Sequence, residues 1–95
     1  MRVGHTFTEH GSYNTRELIS EASHSGRPIG QWADDPAVEQ FIAEQLPELA
    51  QGSRTFDLPS GLGRQINPDG SFEPANKARL VPSGVGVKTG YPFAE

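Results

Sequence analysis

The chain has 95 residues, 34% of them hydrophobic, with eleven glycines and eight prolines. This describes one small domain with a thin core, rich in turns and short strands. A net charge of −4 argues against a broad electrostatic grip on nucleic acid, the lack of cysteine excludes disulfides and thiolate zinc sites, and no apolar run approaches a membrane span.

The charge is unevenly spread. Residues 1–50 carry three basic and eight acidic side chains, and residues 51–95 carry five basic and four acidic. The acidity therefore belongs to the helical half, and the strand-rich half leaves room for a local cationic site. The first residues lack the charged and apolar regions of a signal peptide, so any export signal is expected on a larger parent chain.

Residues 2–12 place Val3, His5 and Phe7 on one parity, compatible with a short extended segment or a first helical turn. Asn14, with Glu17 three residues on, predicts a capped helix from Thr15 to His24. Leu18, Ile19 and Ala22 form its apolar stripe, and Ser25-Gly26 with Pro28 ends it. The stretch from Arg27 to Ala33 reads as a linker carrying the only tryptophan, Trp32, expected as a packing anchor rather than a base-stacking platform.

Asp35 as N-cap and Pro36 at the first helical position predict a second helix. Val38, Phe41, Ile42 and Leu46 make its core-facing stripe, Pro47 ends or kinks it, and Glu39, Glu44 and Glu48 read as solvated. Asp34 and Asp35 look like a catalytic pair, but capping accounts for Asp35.

After Gly52-Ser53 the periodicity changes from helix to strand. Strands are expected at 54–58, 63–66, 71–74, 77–81 and 85–93, the third a short edge segment because Pro74 cannot donate to a ladder. Asn67-Pro68-Asp69-Gly70 is a strong turn signal. The expected architecture is α+β in a single domain, residues 1–95: a helical part, 1–51, packed on a β-meander, 52–95. Two N-terminal helices would cover one face of a four-stranded antiparallel sheet and leave the other face free for a site.

Two stretches carry candidate chemistry. His5 and His10 lie within six residues of each other, and imidazole suits proton transfer near neutral pH. Isolated histidines are more often exposed bystanders or bonded core groups. Near the end of the chain, Lys88, Thr89 and Tyr91 bring an ammonium, a hydroxyl and a phenol onto one strand, with Gly86 and Gly90 as possible bulge positions. Thr and Tyr are also ordinary strand formers, and Lys protects edge strands. Arg79 and Arg64 offer guanidinium forks for a phosphate, although each is more often a surface charge. A zinc site would need further ligands, His24 sits in or just after a helix, and no HExxH is present, so no metal or other cofactor is expected. There is no Gly-rich phosphate loop before a helix, no nucleophile elbow and no basic aromatic RNA-binding motif.

With His5, His10-Gly11 and Lys88-Thr89-Gly90-Tyr91-Pro92 in hand, the chain resembles the C-terminal toxin domains of bacterial polymorphic and contact-dependent inhibition systems. It is similar to those with the barnase/EndoU/colicin/RelE-like ribonuclease fold. The resemblance covers most of the chain in architecture. It implies metal-independent RNA cleavage, often of tRNA, in which the 2′-hydroxyl attacks the neighbouring phosphate. Carried onto this sequence, His10 and His5 are the acid and base candidates. Lys88, Thr89 and Tyr91 would hold or polarise the phosphate, with Arg79 and Arg64 binding substrate. The resemblance further implies delivery into a target bacterial cytoplasm as the C-terminal part of a larger protein, and an immunity protein as partner. The acidic net charge departs from the ribonuclease pattern. Two alternatives stay open: a non-catalytic protein-interaction module, and a toxin enzyme of another chemistry.

Overall fold

The computed structural model describes residues 2–84 and 86–95. After an isolated parallel bridge from Arg2 to Gly86, the elements are α1 (Thr6–His10), α2 (Thr15–Ser25), β1 (Ile29–Trp32), α3 (Asp35–Gln45) and a 3-10 turn (Glu48–Gln51). The strands β2 (Arg54–Asp57), β3 (Gly63–Ile66), β4 (Phe72–Pro74), β5 (Lys77–Ser83) and β6 (Gly86–Phe93) follow. Val85, the expected first residue of the last strand, lies outside the described residues. Among the described residues no helix is long and apolar enough to cross a membrane.

The fold is mixed α and β, but the strands form two antiparallel sheets of three, ordered β1-β3-β4 and β2-β5-β6. This corrects the single four-stranded meander. The β3–β4 hairpin lies between β2 and β5 in sequence, yet it leaves them to pair with each other and joins β1 instead. It also corrects the division at residue 52, because β1 comes from the expected linker.

Each sheet has its own helix. Phe41, Ile42 and Val38 of α3 pack with Leu80, Ala78, Val87 and Trp32 over the β2-β5-β6 sheet. Leu18 and Ala22 of α2 close on Ile66 of β3 in a smaller cluster. These are the apolar stripes read from the helical spacing, and their burial is the main driving force for docking the helices.

The two sheets meet at β1 and β6. Trp32 is only 1% exposed, and its indole Nε1 donates to Gly90 O at 3.2 Å. Trp32 is thus a packing anchor with its polar atom satisfied. Beside it the backbones approach so closely that only glycine fits. A Cβ on Gly30 would lie 1.9 Å from Pro92 O, and one on Gly63 would lie 2.7 Å from the Pro92 ring.

Capping differs in detail from the expectation. Asp34, in extended backbone, is the N-cap of α3, and its Oδ1 accepts the Ala37 N–H at 3.2 Å. Asp35 is instead the first helical residue, and its Oδ1 accepts the Ser12 N–H. Asn14 precedes α2 as expected but makes no side-chain cap. Its amide donates back to Thr8 O at 2.7 Å and Phe7 O at 3.3 Å, locking α1 to α2.

Candidate functional site

The two ends of the chain meet. Val87 N–H donates to Arg2 O, and His5 N–H donates to Lys88 O, both at 2.9 Å. The strand opposite explains why the Lys88 carbonyl is available. Val81 pairs with Thr89 and Pro82 pairs with Val87, so Lys88 is one residue too many: a β-bulge. The bulge falls at Lys88 and not at either flanking glycine.

From that anchor α1 runs alongside β6 in the same direction. His5 sits at its start beside Lys88, and His10 sits at its end beside Tyr91, with ring centroids 5.6 Å apart. The lengths match: five helical residues rise about 7.5 Å, and three strand residues about 10 Å.

His10 is held in one orientation. Its Nδ1 lies 2.8 Å from Gly30 O, and a carbonyl can only accept, so Nδ1 carries the proton. In the neutral ring Nε2 is then the free acceptor, which is the arrangement a general base needs.

The bulge also decides which side chains share a face. Beyond it, Thr89, Tyr91 and Phe93 stand opposite Val81, Arg79 and Lys77, while Gly90 and Pro92 turn to the core with Leu80 and Ala78. Arg79 is therefore the direct cross-strand partner of Tyr91. Its Nη1 donates to Thr55 Oγ1 at 3.3 Å. Lys77, next along this face, is ion-paired with Asp57. The pairing holds the Asp57 carboxyl below its usual range and raises the Lys77 ammonium.

Arg64 is not brought to this group. It lies in the other sheet, where its Nε donates to Gln31 Oε1 at 2.9 Å and its guanidinium sits 4.1 Å over the Phe72 ring. His24 is likewise apart, its Nδ1 bonded to Ser20 O of its own helix. Among the described residues no cluster of His, Cys, Asp or Glu is arranged to hold a metal ion.

Two residues escaped the sequence reading. Gln31 is 1% exposed, yet its Nε2 donates to Gly11 O, Ser12 O and Thr15 Oγ1, and its Oε1 takes Arg64. It ties the α1–α2 corner to β1 and β3. Arg2 lines an open hollow of about 670 Å³ together with His5 and Lys88. Nothing in the local sequence marks either role, because both depend on partners distant in the chain.

Charge divides the surroundings of His10. On the α2 side it borders a hollow lined by Glu9, Glu17 and Glu21, which disfavours a phosphate. On the β6 side lie Tyr91 and, across the strand, Arg79. The sheet side of the imidazole is thus the less acidic of the two. Comparison with protein-family models, with curated proteins and with solved structures finds no match for this chain.

Proposed function

We propose that the chain is a metal-independent endoribonuclease of the toxin type. The observation that carries this reading is the alignment of α1 with β6, which sets His5 by Lys88 and His10 by Tyr91 on one continuous edge. In this scheme Nε2 of His10 takes the proton of the RNA 2′-hydroxyl. The 2′-oxygen forms a new bond to phosphorus, the bond to the 5′-oxygen breaks, and a 2′,3′-cyclic phosphate results. The departing 5′-oxygen takes its proton from the His5 end of α1. Tyr91 and Thr89 donate hydrogen bonds to the phosphorane, and Arg79 and Lys88 balance its charge.

A sheet face carrying the half-buried Arg79 and the neighbouring rings of Tyr91 and Phe93 suits a single strand of RNA better than a duplex, since stacking and backbone charge are the two contacts it offers. Transfer RNA, with its unpaired loops, is the substrate class favoured by the resemblance. The same face is where an immunity protein would block the enzyme, and delivery into a target bacterium as part of a larger protein belongs to the same reading.

The test is incubation of the purified chain with total bacterial RNA and with tRNA in EDTA, beside a folded His10→Ala variant. Discrete fragments from the wild type alone support the reading. Intact RNA in every lane would overturn it and favour a protein-interaction module. That second reading draws on the exposed rings of Phe72, 46% accessible, and Tyr91, 37% accessible.

A further inference from the structure

The geometry points to a phosphoryl-oxyanion site in the hollow between the first residues of the chain and the β6 bulge, built by Arg2, His5 and Lys88. Those three are the ionisable side chains among its described lining residues, and all three are exposed. The other described lining residues are Val3, Gly4, Ser83 and Val87, so no carboxylate is among them. In a chain of net charge −4 this is an unusual concentration.

Four cations elsewhere are engaged: Arg54 is paired with Glu48, Lys77 with Asp57, Arg64 is committed to Gln31 and Phe72, and Arg79 donates to Thr55 Oγ1. Arg16 and Arg27, like Arg2 and Lys88, show no side-chain partner among the described residues, but neither lines this hollow. Arg2 and Lys88 have neither a carboxylate partner nor a side-chain hydrogen bond among the described residues, and His5 has none either. Two cations and an imidazole lining one hollow without a counter-charge leave a place for something negative to complete the group.

The walls are fixed by backbone. Arg2 O accepts from Val87, Lys88 O accepts from His5, and Arg2 bridges Gly86 in parallel. Gly4, at φ +53, lies so near Lys88 O that a Cβ there would be 1.9 Å away. The backbone groups are thus consumed in holding Arg2, His5 and Lys88 together, and recognition falls to the side chains. A guanidinium fork, an ammonium and an imidazole around one concavity suit a tetrahedral, multiply charged oxyanion. A planar carboxylate would leave part of that donor set unused.

The anion site stands on this geometry alone. Its assignment to the RNA phosphate on the leaving side of the cut rests on the ribonuclease reading.

The experiment follows the His5 and His10 ring resonances and the Arg2 and Lys88 signals by NMR while inorganic pyrophosphate is added. A saturable shift of His5, Arg2 and Lys88, with His10 unmoved, is expected. Arg2→Gln and Lys88→Gln should each weaken binding about tenfold, as loss of one charge-assisted contact of about 1.4 kcal/mol implies. No shift, or equal affinity in both variants, would overturn the site. A second titration uses a short uridine oligonucleotide with 2′-deoxy sugars, which cannot be cut by 2′-hydroxyl attack. Movement of both the His5 and His10 sets identifies the anion as a backbone phosphate. Movement by pyrophosphate alone identifies a free phosphate or nucleotide ligand. Should pyrophosphate bind while natural RNA stays intact, the ribonuclease reading fails and the anion site stands. Should RNA be cut while pyrophosphate moves nothing, the anion site fails alone.

Discussion

The backbone N–H of His5 donates to the carbonyl of Lys88 at 2.9 Å, joining the start of the chain to its last strand at a bulge. A five-residue helix has no stability of its own, so α1 depends on tertiary anchors: this bond at its start, the Asn14 amide on Phe7 O and Thr8 O, and His10 on Gly30 O at its end. His5 is therefore positioned by the bulge and His10 by the Gly30 carbonyl, not by local helix propensity.

Gly4 makes this docking possible, and its replacement should undo it. Gly4→Ala puts a Cβ into the Lys88 carbonyl and holds a non-glycine residue at φ +53. Strain of this kind costs on the order of 2 kcal/mol, before any displacement of α1. Denaturant titration should show that loss, and the His10 ring should lose its contact shifts from Tyr91. An unchanged midpoint would mean that the first residues do not dock this way in solution.

Gln31 should matter more than any other buried polar residue. Gln31→Leu keeps the volume but takes their partner from Ser12 O, the Thr15 hydroxyl and the Arg64 Nε, while Gly11 O keeps only the Asn14 N–H. The expected loss is about 2–3 kcal/mol. Paired with Arg64→Met in a double-mutant cycle, the two changes should be non-additive by at least about 0.5 kcal/mol. Simple additivity would separate Arg64 from this network.

Thr6 predicts the opposite sign. Its side chain is fully buried over Gly90, and its Oγ1 finds no hydrogen-bond partner among the described residues. Thr6→Val removes that hydroxyl at nearly constant shape, so stability should be unchanged or higher by up to about 1 kcal/mol. Thr6→Ser keeps the unsatisfied group and adds a small void, and should lose about 1 kcal/mol. A Val variant that unfolds more easily than Ser would show that a buried water completes the threonine.

The Asp57–Lys77 pair gives a pH signature. Its hydrogen bond and charge lower the Asp57 pKa, so the contribution is present above the value of a free aspartate. It is lost as pH falls through the still lower folded value. Lys77 is raised, so its share is present below the ordinary lysine value and lost only as pH climbs through the raised one. Asp57 is largely exposed, and the effect on stability should be small. Melting curves of Asp57→Asn should lie slightly below wild type at neutral pH and converge with it in acid. A gap that persists at low pH would assign the loss to something other than the pair.

These sites differ in how far the sequence announced them. The α2 and α3 stripes were legible because helical periodicity is local, and Leu18 and Ala22, like Val38, Phe41 and Ile42, are buried as their spacing requires. The Asn67–Gly70 turn was legible for the same reason, since Gly70 N–H donates to Asn67 O within it. Strand β1 was not. Gly30, Gln31 and Trp32 are all buried, so the strand shows no alternation, and Pro28 and Gly30 imitate a linker. The split into two sheets was hidden because β3 takes its partner from far upstream. For the site, the two short stretches singled out His5 and His10 at one end and Lys88, Thr89 and Tyr91 at the other. The bulge at Lys88 depends on β5 across the ladder, and Arg2 enters only through tertiary contact.

Tyr91 offers the sharpest test of the chemistry itself. Its ring rests against His10 and is 37% exposed, so the phenol is free to meet a substrate. Tyr91→Phe keeps the ring, and with it the placement of His10, and removes only the hydroxyl. If that hydroxyl donates to the phosphorane, kcat for RNA cleavage should fall about a hundredfold, the scale of losing one transition-state donor. KM should change little, because an interaction made only in the transition state does not appear in ground-state binding. Tyr91→Ala, which also removes the ring, should lose more and should alter the His10 resonances. Full activity in the Phe variant would confine Tyr91 to positioning the imidazole. An unchanged kcat with raised KM would instead make its hydroxyl a binding contact for the ground-state strand.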